Sequence, residues 1–335
     1  MDAAGNAVPV DHMKHASGTH ALLLSVMITC LVFLWSCNRA PDRTEGTRKL
    51  TVVTTLFPVY DFAKNVGGER ADVSLLLPPG VEPHGFEPKP GDVMRIESAD
   101  LFIYTGEQME PWAAGILKGF KGGKPLVVDA SAEIDRKERD RSRTDAAPAK
   151  AEKNHWHRHK TDPHIWLDLD YARSMVGTIL GGYRKQDPAR GDYYAANAAR
   201  YTARLAELDA RFRSELGTCR KRVIIHGGHF AFNYLAQRYG LTYVSAYGGS
   251  PDAEPTARKL MELERLLRKY DVRYIYFEEL ITPRVAEIVA KETGASLLPL
   301  HGAHNVTREE HAQGVTFIGI MENNLQNLKK GLECQ

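Results

Sequence analysis

The chain has 335 residues, 43% of them hydrophobic and 26% charged, with a formal net charge of +2 at neutral pH. That length can build one large or two medium globular domains. So even a charge balance does not suggest a nucleic-acid partner.

Composition breaks first near the start. Residues 21–35 (ALLLSVMITCLVFLW) are almost wholly apolar and follow Lys14 and His15. So short a run suits the hydrophobic region of a signal peptide better than a spanning helix of about 20 residues. It ends in Leu34-Trp35-Ser36-Cys37, which resembles the lipobox of bacterial lipoprotein precursors, although Trp35 is bulkier than usual there. The alternative is an uncleaved N-terminal anchor. Asp2 and Asp11 precede the basic residues and do not suit such a leader, which points to Met13 as the start. Residues 1–48 are therefore assigned to a leader and polar tether outside the fold, with Cys37 the candidate for lipidation. Cys30 departs with the leader. Cys219 and Cys334 then remain as a pair in an exported, oxidising setting and are expected to form a disulfide, two free buried thiols being the alternative.

From Lys49 onward strand and helix signals alternate, which predicts parallel sheets covered by helices. Strands are expected at residues 50–56 (LTVVTTL), 73–77 (VSLLL), 101–104 and 126–128, with a helix over residues 59–66. Ligands in open parallel sheets bind where loops leave the carboxyl ends of the strands. The loop after the second strand reads Gly80-Val81-Glu82-Pro83-His84-Gly85-Phe86-Glu87-Pro88, a constrained turn that presents His84. Glu82 and Glu87 are possible ligands there on chemistry alone, and Glu87 reads better as a solvated loop edge. Residues 132–160 are charged or small without apolar periodicity, as a surface insertion would be. This insertion ends in His155, His157 and His159, an alternating cluster able to capture a metal ion ahead of an organised site. Asp162-Pro163-His164-Ile165-Trp166-Leu167-Asp168 follows. Pro163 fixes the backbone before the imidazole and Trp166 can wall it from water.

A helix is expected over residues 171–183, stopped by Asp187-Pro188. The longest helical pattern runs over residues 190–216, with Tyr201, Leu205, Leu208, Phe212 and Leu216 on one face. It is read as a rigid connector, residues 188–217, between an N-terminal lobe (49–187) and a C-terminal lobe (218–335). In the second lobe a strand at residues 222–225 ends in His226-Gly227-Gly228-His229 and leads into a helix over residues 230–239. Strands at 241–246, at 274–277 before Glu278-Glu279, and at 297–300 before His301-Gly302-Ala303-His304 come next. A helix over residues 315–332 closes the chain. The fold class is thus α/β: two lobes, each a parallel sheet flanked by helices, joined by one long helix.

PHGFEP around His84, EPW from Glu110, DPHIWLD from Asp162, HFAFNYLAQRYGL from His229 and EPT from Glu254 occur in that order. So arranged they resemble the zinc/manganese substrate-binding lipoproteins (cluster A-I) of bacterial ABC importers, over nearly all of the mature chain. The resemblance implies two α/β lobes joined by one long helix, with a metal buried between them. Carried onto this sequence, it makes His84 and His164 ligands from the first lobe and His229 a ligand from the second, with His226 the competitor of His229. The family's fourth ligand is usually acidic; here His301 stands at that place, with His304, Glu278 or water as competitors. Three or four imidazoles with no required carboxylate favour Zn2+ over Mn2+, which prefers more oxygen. Glu278 is expected to hold the far ring nitrogen of a ligand histidine.

The expected function is high-affinity extracytoplasmic zinc binding by a lipid-anchored monomer that delivers the ion to an ABC permease and its ATPase. Other classes are a zinc hydrolase, for which HExxH and GxSxG are missing and a fourth imidazole would close the site, and a surface adhesin or metal buffer.

Overall fold

Short apolar runs separated by helical connections assemble into two parallel four-stranded sheets. The computed structural model describes residues 48–120, 125–136, 162–248 and 256–335. The first sheet holds β1 (Leu50–Thr54), β2 (Ala71–Leu75), β3 (Leu101–Tyr104) and β4 (Leu126–Asp129), in the order β2-β1-β3-β4. The second holds β5 (Val223–His226), β6 (Thr242–Ser245), β7 (Tyr274–Phe277) and β8 (Ser296–Pro299), in the order β6-β5-β7-β8. Val52 pairs with Val73 on one side and Leu101 on the other, and Ile275 pairs with Leu297. Strands covered on both faces need continuous rather than alternating apolar sequence, and β3 and β5 are buried at every position. In both sheets the strand order reverses beside the first strand, which opens a crevice beyond the carboxyl ends.

Helices α1 (Phe57–Gly67), α2 (Pro90–Ser98) and α3 (Pro111–Leu117) belong to the first lobe, with α4 (Leu169–Gln186) leading out of it. Asp168 caps α4 by accepting from the backbone N–H groups of Asp170 at 2.8 Å and Tyr171 at 3.3 Å. After α5 (Gly191–Gly217), the second lobe adds α6 (Asn233–Arg238), α7 (Ala257–Tyr270), α8 (Arg284–Thr293), α9 (Arg308–Ala312) and α10 (Phe317–Gly331). The expected helix at 230–239 starts later, at Asn233. Phe230 and Ala231 stay in the turn because their N–H groups go to Gly248 O at 3.0 Å and the Tyr243 hydroxyl at 3.2 Å. Among the described residues no helix is long and apolar enough to cross a membrane.

The 27 residues of α5 span about 40 Å at 1.5 Å per residue. Its buried stripe of Tyr194, Ala198, Tyr201, Leu205, Leu208, Phe212 and Leu216 lies in a core that runs from Val52 and Phe62 through to Ile224, Phe232 and Leu298. At about 1.5–3 kcal/mol for each fully buried large apolar side chain, this stripe holds both lobes to one backbone element. Polar struts add direction. Arg238 bonds Asp168 at 2.8 Å and Asp209 on α5 at 2.7 Å, and the Tyr201 hydroxyl donates to Asp61 on α1 at 2.6 Å.

Cys219, just past α5, is disulfide-bonded to Cys334 in the C-terminal tail, as the sequence leads one to expect. Lys221 N–H donates to Leu332 O at 3.0 Å beside it. The expected insertion at 132–160 begins too early: Ile134 lies in the first lobe's core, so the fold continues to residue 136. His155, His157 and His159 lie outside the described residues, as do Cys37 and the rest of the leader.

Candidate metal centre

Four imidazoles meet where the two sheets' carboxyl ends face each other. His84 comes from the loop after β2 and His164 from the segment between β4 and α4. His229 comes from the turn after β5, and His304 from the loop after β8. Each ring has a carboxylate at Nδ1. In the first lobe the acid lies two residues upstream across a proline: Glu82 Oε1 is 2.6 Å from His84 Nδ1, and Asp162 Oδ1 is 2.7 Å from His164 Nδ1. In the second lobe both acids leave β7. Glu278 Oε2 pairs with His229 Nδ1 while its Oε1 accepts the His229 N–H at 3.1 Å. Glu279 Oε1 is 3.0 Å from His304 Nδ1 and its Oε2 accepts the Gly302 N–H at 2.6 Å.

A carboxylate at Nδ1 holds the proton there and leaves the Nε2 lone pair free as a ligand. The Nε2 atoms of His84 and His164 are 3.3 Å apart and those of His164 and His229 are 3.4 Å apart. All four ligand atoms lie within 4.8 Å of one another. A tetrahedral zinc with Zn–N of about 2.0–2.1 Å has N···N edges of about 3.3–3.4 Å. His304 Nε2 is buried with no hydrogen-bond partner, and lone pairs gathered so closely repel unless a cation lies between them. The residues present fit a divalent ion with nitrogen donors.

Burial sets the electrostatics. It holds His164 well below the usual imidazole range, and the neighbouring rings of His304, His229 and His84 push the same way. Burial likewise lowers His304, although Glu279 opposes it. His229 is lowered by burial but raised further by Glu278, so its net shift is upward. Burial would raise Glu82, Glu278 and Glu279, yet their histidine partners hold all three below the usual carboxylate range. Asp162 is pushed up to about 7 by burial.

The structure gathers His304, rather than the expected His301, with His84, His164 and His229. His301 lies two residues past β8, where Asn324 grips its backbone on both sides at 2.8 Å. Its Nδ1 accepts from Ala303 N–H at 2.9 Å and its ring sits between Glu279 and Glu310. Gly302 and Ala303, the latter at φ 57°, then turn the chain so that His304 enters the cleft. A Cβ on Gly302 would collide with the His304 ring, so only glycine fits under that imidazole. His226 stays out of the group; burial lowers it to about 4, and its Nδ1 is 3.4 Å from the Tyr243 hydroxyl. Glu278 stands at His229 as anticipated, and Glu87 is exposed. Sequence reasoning misses Asp162, Glu82 and Glu279 as the acids behind the other rings. The repeated acid-Pro-His pattern is the available signal for the first two.

Residues 52–331 match the family described as ZnuA, zinc-uptake complex component A, periplasmic. The chain belongs to the ZnuA family. The high-affinity zinc uptake system protein ZnuA of Bacillus subtilis (strain 168) is 36% identical over 312 residues, covering 92% of this chain and 97% of its own. The zinc-binding lipoprotein AdcA of Streptococcus pneumoniae (strain TIGR4) is 34% identical over 316 residues, covering 92% of this chain; the chain spans only 60% of AdcA. Among solved structures, the metal-dependent lipoprotein YcdH of Bacillus subtilis superposes with a TM-score of 0.72 at 37% identity, over 85% of this chain and 100% of that one. The Zn(II)-bound ZnuA-like domain of Streptococcus pneumoniae AdcA gives 0.70 at 34% identity, over 85% and 99%. The two-lobed fold is thus that of ZnuA-like binding proteins, and the family is one of transport components.

Proposed function

We propose that this chain captures zinc outside the cytoplasmic membrane and hands it to an ABC permease and its ATPase. It does so as a monomer held to the membrane by lipid on Cys37. The observation that carries this reading is the convergence of four imidazoles, each with its Nδ1 on its own carboxylate, at spacings a tetrahedral ion would set. An all-nitrogen set suits zinc better than manganese, and relatives named as zinc-binding proteins support the same choice. Four protein donors leave no position for an activated water, which favours carriage over hydrolysis. Release then depends on docking that withdraws one ligand-bearing loop, since α5 backs both lobes and opposes wide opening.

Metal analysis of protein purified without chelator tests the site. One zinc per chain is expected in the cleft. His304→Ala should weaken zinc binding by about 100-fold or more, beyond the 10–100-fold typical of losing an outer partner. His301→Ala should change affinity by less than about threefold. The reverse order of effects would return the fourth position to His301. A second tight ion, lost with His155, His157 and His159 replaced, would assign metal capture to that cluster.

A further inference from the structure

The segment carrying His304 is stitched to the opposite lobe. Asn305 is fully buried, and its Nδ2 donates to the carbonyls of Pro78 at 2.7 Å and Val81 at 2.9 Å. Its Oδ1 accepts the Val306 N–H at 2.9 Å. Those carbonyls flank the turn that leads directly to Glu82 and His84. Gly80 N–H donates to Val306 O at 2.8 Å alongside, and Trp166 Nε1 donates to Gly302 O at 2.7 Å. The His304 ring itself is held from β7 by Glu279. By contrast, the backbone and Nδ1 of His229 go to second-lobe partners: Glu278 takes its N–H and Nδ1, and the Tyr243 hydroxyl donates to its carbonyl at 2.9 Å.

We propose that Asn305 is a positioning residue for the ion: it fastens the loop bearing His84 to the loop bearing His304, so that these two imidazoles are set in register before metal arrives. This rests on the four-imidazole reading of the cleft. The role needs a side chain with two N–H donors and an acceptor on a short stem, and asparagine alone has that combination. Glu82 cannot replace the latch, because it orients the His84 ring from within the same loop and moves with it. Without the latch, the loop from Pro78 to His84 loses its side-chain tie to the far lobe, and binding must order it at a cost in affinity.

A double-mutant cycle between Asn305 and His84 tests this, read by competition titration with zinc itself. Asn305→Asp keeps the shape but turns an acceptor toward two carbonyls. It should weaken zinc about 10- to 100-fold in the otherwise unchanged protein. In a His84→Ala background the same change should cost less than about threefold, because the ligand it positions is gone. The d–d spectrum of the cobalt-loaded Asn305→Asp protein should move toward that of cobalt-loaded His84→Ala. Equal losses in both backgrounds would mean a general structural defect and overturn the proposal, as would no loss in the unchanged background. Normal zinc affinity in His84→Ala alone would overturn the four-imidazole reading and this proposal together. Should Asn305→Asp not fold, Asn305→Ser, which leaves room for water to bridge the two carbonyls, takes its place in the cycle, and the same pattern of losses supports or overturns the proposal.

Discussion

The two lobes orient their histidines by opposite means. In the first, each imidazole is aimed by an acid two residues upstream, Glu82 for His84 and Asp162 for His164, with a proline between. In the second, His229 and His304 come from different loops and are aimed by neighbouring acids of a third, Glu278 and Glu279 after β7. A self-oriented ring survives small shifts of its surroundings, because ring and acid travel together. A cross-oriented ring is correct only when its own strand end and that of its acid are in register, and the two rings together need three. The second lobe is therefore the part of the site that senses how well the fold is assembled.

The largest expected effect strikes the assembly itself. Arg238→Met leaves Asp168 and Asp209 without their shared partner and should cost about 3–5 kcal/mol, read by urea unfolding. Arg238 holds Asp209 below the usual carboxylate range, although burial opposes it. A depressed carboxylate contributes stability that is present above its unfolded value and lost as pH falls through the folded one. The variant should therefore show a shallower loss of stability below about pH 4. Next in size, Glu279→Gln removes the charge behind His304 and should weaken zinc by about 100-fold. Asp162→Asn, at a self-oriented and buried ring, should cost closer to 10-fold. Glu82→Gln should cost less than about 10-fold, because Glu82 is 31% exposed and water can take its place at His84. If Glu82→Gln proved as damaging as Glu279→Gln, the contrast between the lobes would collapse.

The same contrast explains what the sequence disclosed. His84, His164 and His229 stand in short motifs, so they could be singled out directly. The strands of both sheets could be read as well, because parallel strands are continuous apolar runs. Five helices, α2, α3, α7, α8 and α9, have no counterpart among the helices expected from the sequence, since each buries few side chains: Ile96 in α2, Ala113 in α3, Leu263, Leu266 and Leu267 in α7, Ala286 and Val289 in α8, and none in α9. The choice between His301 and His304 is set by Asn324 from α10 and by the left-handed turn at Ala303. Neither leaves a mark near those histidines in the sequence. Glu279 was invisible for a similar reason, because its partner lies 25 residues away on another loop.

The carboxylates behind the rings also bear on the speed of capture. Glu82, Glu278 and Glu279 are all held below the usual carboxylate range by the histidines they face, so acidic groups line the approach of a cargo that brings two positive charges. A groove so charged draws cations from a distance, and the draw fades as salt shortens the Debye length from about 30 Å at 0.01 M to about 3 Å at 1 M. Rising ionic strength should slow the arrival of zinc while leaving its departure, governed by bonds a few ångströms long, nearly unchanged.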